Sequence, residues 1–276
     1  MENLNGGISY NDDVFEFNFT SNSNNEHNII QFKNLPLEPI RFSDEVLAKN
    51  TYYFGYEFLN NDKASSKVRT KFFHELKFND KFTSAENKKK FVTNAINRLD
   101  DEINIYDFNV VVYPQSRSSL NQYMVKIISN ITNMDLNTYE LVKKLPSEIK
   151  FDYEKFTEVE LNSMVNGKPR YTEIQKNQQI EKIEKILKNI HKSDYFSIAE
   201  LVKTNKYKIN FGPYFKTPKK NSKKTKLIIN AKNILLLDDV TTTGATLLQC
   251  LRAIRTLNTD ANVVLFTLVG KKDIFT

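Results

Sequence analysis

The chain has 276 residues, and 40% of them are hydrophobic, including 20 Phe and 13 Tyr but no Trp. This length permits one large domain or a core with an appendage, and it allows a sizeable hydrophobic core. The single cysteine, Cys250, excludes an intramolecular disulfide and a cysteine-based zinc site. Since there is also no signal peptide and no long apolar run, the sequence indicates a soluble cytoplasmic protein without a membrane segment.

The net charge of +7 is concentrated in one stretch of the chain. Residues 201–230 hold nine lysines and no acid, so the other 246 residues sum to about −2. This distribution argues against a general nucleic-acid surface and indicates one segment that faces anions. Contact with nucleic acid through the segment Lys216–Lys226 stays open.

Residues 1–100 predict a β-rich region followed by helices. Alternating or continuous apolar residues indicate strands at residues 14–19, 29–32 and 52–59. Two amphipathic helices are expected at residues 64–76 and from about 84 to 99. No catalytic constellation is visible here. We therefore treat residues 1–100 as an N-terminal extension and residues 101–276 as the core.

A buried strand is predicted at residues 109–113, followed by a small polar turn and an amphipathic helix. Ligands of α/β sheets bind beyond the carboxyl ends of the strands, which makes this turn a candidate anion site. The turn contains Arg117, whose guanidinium can bind a phosphate through two parallel hydrogen bonds. The candidate ligands are Gln115, Ser116, Arg117 and Ser118. The alternative is that this turn only caps the start of the following helix and that Arg117 is a surface residue without a ligand.

The segment before residue 233 predicts one long helix and then a basic hairpin. Residues 172–190 carry an apolar stripe from Ile174 to Ile190 at helical spacing. Residues 207–211 alternate as a strand, and residues 227–229 are its expected antiparallel partner. The tip between them holds the six lysines of Lys216–Lys226. The alternative is a disordered, solvated lysine loop.

Residues 233–247 carry the clearest chemical pattern, Asn-Ile-Leu-Leu-Leu-Asp-Asp-Val-Thr-Thr-Thr-Gly-Ala-Thr-Leu. Its apolar run is too short for a helix and is typical of a central parallel strand. Asp238 and Asp239 stand where this strand should end. A turn with four threonines and Gly244 follows, and then an amphipathic helix begins.

This pattern predicts a phosphate site with a sugar site beside it. The N-terminus of a helix has unpaired N–H donors and a positive dipole end, so it binds phosphate readily. Threonine hydroxyls add donors without adding charge, and Gly244 permits a tight turn. The two carboxylates would repel a phosphate. They can instead accept hydrogen bonds from vicinal hydroxyls and hold a divalent metal, as a ribose 5-phosphate requires.

The stretch resembles the phosphoribosyl-pyrophosphate (PRPP) motif of type I phosphoribosyltransferases, in which two acids and a Thr-Thr-Gly-x-Thr loop follow an apolar strand. The resemblance covers about fifteen of the 276 residues. A nucleoside triphosphatase strand also ends in acids, but it requires a Gly-x-x-x-x-Gly-Lys-Ser/Thr loop upstream, and the sequence has none. Residues 117–122 also resemble, faintly, the Arg-Gly-Phe-Asn-Gln run of ComF-like members, although the glycine is missing.

The resemblance implies an α/β fold of the type I phosphoribosyltransferase kind, in which helices flank a central parallel sheet. Residues 1–100 would then be an N-terminal extension of β-strands and helices, or a hood over the acceptor site. It implies that Asp238 and Asp239 hold the ribose hydroxyls directly or through Mg²⁺, and so form the metal site. The implied PRPP-binding residues are Asp238, Asp239, Val240, Thr241, Thr242, Thr243, Gly244, Ala245 and Thr246, with Gln115, Ser116, Arg117 and Ser118 at the pyrophosphate.

The activity that the resemblance implies is transfer of a 5-phosphoribosyl group from Mg-PRPP to a nitrogen acceptor, with release of pyrophosphate, in nucleotide metabolism. The catalytic residues would be Asp238, Asp239, Arg117, Lys219 and Lys220, the two lysines lying in a flexible loop that closes over PRPP. Enzymes for 6-oxopurines carry an aspartate at the position of Thr242, so salvage of hypoxanthine or guanine is disfavoured. The acceptor is not identified, and a homodimer stays open.

Two other functions share this pattern. A catalytically silent PRPP sensor would keep the motif and regulate a partner or a nucleic acid. An effector that modifies or depletes nucleotides would use similar chemistry, and the unusual N-terminal region keeps that alternative open.

Overall fold

The computed structural model describes residues 8–11, 14–18, 29–33, 40–41, 50–58, 72–74, 76–77, 85–202, 205–208, 210–216, 222–241 and 243–270. The strands are β1 (Ile8–Asn11), β2 (Val14–Asn18), β3 (Ile29–Lys33), β4 (Ile40–Arg41), β5 (Thr51–Phe58), β6 (Val110–Pro114), β7 (Asn137–Leu141), β8 (Lys150–Phe151), β9 (Met164–Val165), β10 (Lys168–Pro169), β11 (Phe211–Gly212), β12 (Asn233–Val240) and β13 (Asn262–Val269). The helices are α1 (Ala85–Glu102), α2 (Leu120–Thr132), α3 (Tyr153–Phe156), α4 (Glu173–His191), α5 (Ile198–Leu201), α6 (Asn205–Lys208), α7 (Lys223–Ile229) and α8 (Ala245–Arg255).

Five parallel strands form the centre of the sheet, in the order β5-β13-β12-β6-β7. The antiparallel strands β1, β2 and β3 extend the sheet beyond β5. Helices cover the parallel strands, so the expected α/β fold with a central parallel sheet is confirmed. The arrangement is compatible with a Rossmann-like fold.

Alternate residues of β12 face two different helix layers. Ile234 and Leu236 belong to the hydrophobic cluster that includes α4, α7 and α8, whereas Leu235 and Leu237 belong to the cluster that includes α1 and α2. All four side chains are fully buried. A strand that is buried on both faces needs no polar alternation, which is why the sequence is continuously apolar here.

The N-terminal region contributes directly to this sheet. Strands are confirmed at each of the three predicted places, as β2, β3 and β5, and the second predicted helix is α1. Of the first predicted helix, the structure describes residues 72–74 and 76–77, which are helical. Because β5 pairs in parallel with β13, the sheet continues across the predicted boundary at residue 100. The division of the chain into an extension and a core at residue 100 remains a prediction.

The predicted basic hairpin is wrong. Residues 205–208 form helix α6, and Phe211 and Gly212 pair with β8 rather than with residues 227–229. Those residues end helix α7, in which Ser222 caps the first turn and accepts the N–H of Thr225 at 3.1 Å. Lysine favours helix, and the buried Ile228 anchors α7 to the core. Lys219 and Lys220 lie outside the described residues.

The long helix predicted before this segment is confirmed as α4. Thr172 caps it and accepts the N–H of Gln175 at 3.3 Å. The apolar stripe is shorter than predicted, because Ile174 is 72% exposed, whereas Ile183 and Ile190 are fully buried. None of the helices that the structure describes is long and apolar enough to cross a membrane.

Candidate functional site

Two loops that the sequence singled out meet at one edge of the sheet. β6 and β12 are neighbouring parallel strands, with Val110 opposite Ile234 and Val112 opposite Leu236. The carboxyl ends of parallel strands lie at the same edge. The turn after β6 and the loop after β12 therefore stand side by side.

A cavity of about 180 Å³ opens between these loops, and we call it the first cavity. It is lined by Lys77, Pro114, Gln115, Ser116, Arg117, Lys143, Tyr195, Ser197, Ile198, Asp238, Asp239, Val240 and Thr246. Two carboxylates and three cationic side chains therefore share one small space. This mixture suits a ligand that presents both hydroxyls and negative charge.

The acid pair lies at the end of β12, where the sequence placed it, and the strand continues to Val240. Asp238 and Asp239 are 6% and 5% exposed. The Asp238 carboxylate accepts the backbone N–H of Asp239 at 2.9 Å. Burial and the neighbouring charge of Asp239 raise the pKa of Asp238 to about 7, against the attraction of Lys77. Asp238 therefore holds a proton more readily than an exposed carboxyl does.

Lys77 is the counter-ion of the acid pair. Its Nζ lies 2.8 Å from the Asp239 Oδ2, and its side chain is 25% exposed. Burial alone would lower the pKa of Lys77, but the charge and hydrogen bond of Asp239 outweigh this effect, so the pKa is raised. Lys77 thus stays protonated and pairs with the Asp239 carboxyl group.

The loop after the acid pair is held by backbone bonds and by Thr241. The Thr241 N–H donates to the Val269 carbonyl at 3.0 Å, and the Thr241 hydroxyl accepts the Gly244 N–H at 3.2 Å. Gly244 caps α8 with a φ of 73°, a conformation that favours glycine. Within the described part of the chain, the N–H groups of Ala245 and Thr246 donate to no acceptor. They are available to an anion.

The turn after β6 is fastened to the end of β7. The Gln115 N–H donates to the Leu141 carbonyl at 2.9 Å, and the Gln115 Oε1 accepts the backbone N–H of Lys143 at 2.9 Å. Ser116 accepts the N–H of Ser118 at 3.2 Å. Gln115 therefore positions the turn. Its predicted role as an anion ligand remains a prediction.

Tyr195 holds two cations at the wall of the first cavity. The Arg117 guanidinium stacks 4.0 Å from the centre of the Tyr195 ring. The Lys143 Nζ donates to the Tyr195 hydroxyl at 2.9 Å and lies 3.4 Å from the Phe196 carbonyl oxygen. The aromatic ring attracts cations to its face. Tyr195 therefore holds the charged groups of Arg117 and Lys143 together at one wall of the first cavity.

The predicted site residues divide into two groups. Those that line the first cavity are Gln115, Ser116, Arg117, Asp238, Asp239, Val240 and Thr246. Ser118 and Thr241 are buried beside it, at 7% exposed each, and Thr243, Gly244 and Ala245 complete the loop without lining it. Thr242 lies outside the described residues. The two lysines of the predicted catalytic loop do as well, so their role remains a prediction.

Lys77, Lys143 and Tyr195 are among the cavity residues that the sequence reasoning missed. Lys143 follows β7 at the same edge of the sheet, so the rule that ligands bind beyond carboxyl ends would have found it. Tyr195 and Lys77 come from segments that have no motif. No local pattern marks them, because only the tertiary structure brings residues 77, 195 and 238 together.

The donor set suits a hard divalent cation that is shared with a ligand. Among the described residues, no group of three His, Cys, Asp or Glu side chains could hold a metal alone. Asp238 and Asp239 supply two carboxylates, and Mg²⁺ commonly takes its remaining ligands from substrate phosphates and water. A cation there would also relieve the repulsion between the two carboxylates.

Comparison with known proteins leaves the family of the chain open. No protein-family model matches the chain, and no curated protein matches it. The resemblance to type I phosphoribosyltransferases therefore rests on the motif at residues 233–247.

Proposed function

We propose that this protein transfers a 5-phosphoribosyl group from PRPP to a nitrogen acceptor and releases pyrophosphate. The observation that carries the proposal is the first cavity, in which the acid pair at the end of β12 shares one space with Arg117 of the turn after β6. PRPP carries vicinal hydroxyls, a phosphate and a pyrophosphate on one ribose. These groups match the carboxylates, the helix N-terminus and the cations of this cavity.

In the proposed complex, Asp238 and Asp239 accept hydrogen bonds from the 2- and 3-hydroxyls of the ribose. The 5-phosphate meets the N-terminus of α8, where the N–H groups of Ala245 and Thr246 and the Thr246 hydroxyl are donors. Arg117 and Lys143 neutralise the pyrophosphate. Since Tyr195 holds both of these cations, they need little rearrangement when the ligand binds.

Asp238 and Asp239 are also the residues that would hold Mg²⁺, which when bound supplies positive charge to the pyrophosphate oxygens. In the reaction, the bond from the ribose C1 to pyrophosphate oxygen breaks, and a bond from C1 to the acceptor nitrogen forms. Positive charge develops on the ribose ring and negative charge on the leaving group. Arg117 and Lys143 stabilise the departing pyrophosphate, and the nitrogen gives its proton to solvent or to a base.

A catalytically silent PRPP sensor is the second candidate. The observation that favours it is the ion pair of Lys77 with Asp239. Lys77 takes up one of the two carboxylates that the transfer requires. While Asp239 keeps this partner, Asp238 is left to accept from the ribose hydroxyls, which allows PRPP to bind but leaves the transfer with one free carboxylate. Nucleic-acid contact through Lys216–Lys226 stays a prediction under both candidates.

The test is isothermal titration with PRPP and Mg²⁺, followed by a pyrophosphate-release assay with a panel of nucleobases and other nitrogen acceptors. The variant Asp238→Asn/Asp239→Asn should weaken PRPP binding by about 100-fold or more, since it removes two charge-assisted acceptors. Asp101→Asn/Asp135→Asn is the matched control, because both residues are exposed. It should bind PRPP as the wild type does.

The outcomes separate the two candidates. Binding with pyrophosphate release supports the transferase and identifies its acceptor. Binding without release by any acceptor supports the sensor. If the wild-type protein does not bind PRPP, or if the acid-pair variant binds it equally well, both candidates are wrong.

A further inference from the structure

A second cavity lies further along helix α8, and the proposed reaction does not use it. Its volume is about 300 Å³, and its lining residues are Asp152, Lys155, Asn210, Phe211, Gly212, Pro213, Phe215, Lys216, Gln249, Arg252, Ala253 and Thr256. It shares no lining residue with the first cavity. Thr246 of the first cavity and Thr256 of the second are ten residues apart, or about 15 Å along a helix axis. The two spaces are therefore neighbours on one helix.

The charges of the second cavity favour an anion. Lys155, Lys216 and Arg252 are exposed cations at its wall. The one carboxylate, Asp152, caps helix α3 by accepting the Lys155 N–H at 3.0 Å. Three positive charges therefore face one negative charge that already has a partner. An arginine and two lysines can together neutralise a phosphate dianion.

The floor of the second cavity is apolar. Its accessible apolar side chains are Pro213, which is exposed, and Ala253, which is half-buried, whereas Phe215 is 4% exposed and Phe211 is fully buried. Pockets of this size with apolar walls and few polar groups typically bind small organic molecules. The floor thus suits a flat, apolar ring, which inorganic phosphate lacks.

Gln249 supplies a polar contact in this apolar wall. Its side chain is 4% exposed, and its Nε2 donates to the Phe211 carbonyl at 3.2 Å. Among the described residues, no donor reaches its Oε1. Gln249 lines the cavity, so its Oε1 can accept an N–H from a ligand there.

Gly212 leaves room for the Gln249 amide. Its φ is +151°, and a Cβ at this position would lie 2.6 Å from the Gln249 Nε2 and 2.8 Å from the Oε1. Any larger residue would push the amide away from its present position. The lack of a side chain at Gly212 therefore leaves the space that the Gln249 amide occupies at the cavity wall.

We propose that the second cavity binds a small aromatic monophosphate, of which nucleoside monophosphates are the common biological kind. The ring lies against Pro213 and Ala253, and a ring N–H donates to the Gln249 Oε1. The phosphate meets Lys155, Lys216 and Arg252. This site is separate from the proposed PRPP site and does not depend on the transfer reaction.

The test is isothermal titration of the full chain with AMP, GMP, UMP and CMP, with inorganic phosphate and the four nucleosides as comparison probes. At least one nucleotide should bind at submillimolar concentration and more tightly than its nucleoside and phosphate do. Lys155→Gln/Arg252→Gln should weaken that binding by about tenfold or more, because it removes two phosphate contacts. The control Lys182→Gln/Lys185→Gln makes the same change of charge at exposed positions on α4 and should bind normally.

Two further variants locate the bound nucleotide. Gly212→Ala should also weaken binding, because its Cβ displaces the Gln249 amide, and a thermal melt checks that the variant is folded. Asp238→Asn/Asp239→Asn removes the ribose acceptors of the first cavity, and the nucleotide binding that Lys155→Gln/Arg252→Gln weakens should persist in it. The proposal is wrong if no nucleotide binds, if the control loses as much affinity as Lys155→Gln/Arg252→Gln, or if only the acid-pair variant loses binding.

Discussion

The first and second cavities lie against the same helix but hold their charges differently. In the first, buried carboxylates pair with Lys77, and Arg117 and Lys143 are held by Tyr195. In the second, Lys155, Lys216 and Arg252 are exposed, and none of them makes an ion pair within the described part of the chain. The charges of the first cavity are therefore coupled to folding, whereas those of the second are available to a ligand at little cost to stability.

The largest expected effect comes from removing the counter-ion of the acid pair. Lys77→Met should lower the free energy of unfolding by about 2–4 kcal/mol, because it leaves the buried Asp239 charge without a partner. Urea denaturation measures this change. Adding Asp239→Asn should restore part of the loss, since the two residues interact directly.

The matched substitution in the second cavity is Lys155→Met, which should change the free energy of unfolding by no more than about 0.5 kcal/mol. Equal losses from Lys77→Met and Lys155→Met would show that the two cavities do not differ in this way.

The next effect is a pH dependence that belongs to the first cavity alone. In the metal-free protein the pKa of Asp238 is raised to about 7 by burial and by the charge of Asp239, whereas an unfolded chain has a value of about 3.9. Between these values the folded state binds more protons than the unfolded state. The contribution of Asp238 to stability therefore falls as the pH rises from about 4 to about 7, and it stays low above that range.

Asp238→Asn should remove this dependence and stabilise the metal-free protein at pH 8 by on the order of 1–2 kcal/mol. Urea denaturation in EDTA from pH 5 to 8 provides the measurement, with Asp101→Asn as the control. A variant that is less stable than the wild type at pH 8 would contradict the assigned direction of the pKa shift. Substitutions in the second cavity should leave the pH profile unchanged.

The smallest effect concerns Tyr195. Tyr195→Leu removes the contacts of the ring with Arg117 and Lys143, each worth about 0.5–1 kcal/mol. PRPP binding should weaken by several-fold, because the two cations are no longer held in position. Tyr195→Phe keeps the ring and should lose less affinity. If the two variants lose equal affinity, the ring does not position the cations. Nucleotide binding by the second cavity should be unaffected in both variants.

Most of the candidate site that the sequence predicted comes from the local pattern of residues 233–247. The strand, the acid pair and the helix after Gly244 follow from apolar runs and helix-start residues that act within a few positions of one another. The same holds for α1, α4 and the turn that contains Arg117. In these segments local preference and tertiary burial agree, because the apolar faces read in the sequence are the faces that the core buries.

Only the tertiary structure decided how these parts meet. Residues 207–211 alternate like a strand, but the fold divides them between α6 and β11, and residues 227–229 complete a helix that buries Ile228. Likewise, no local pattern places Lys77 beside Asp239 or Tyr195 between Arg117 and Lys143. These contacts join positions far apart in the chain. They form because burying the two faces of the sheet brings those positions together. A local sequence pattern does not indicate which distant positions will be in contact.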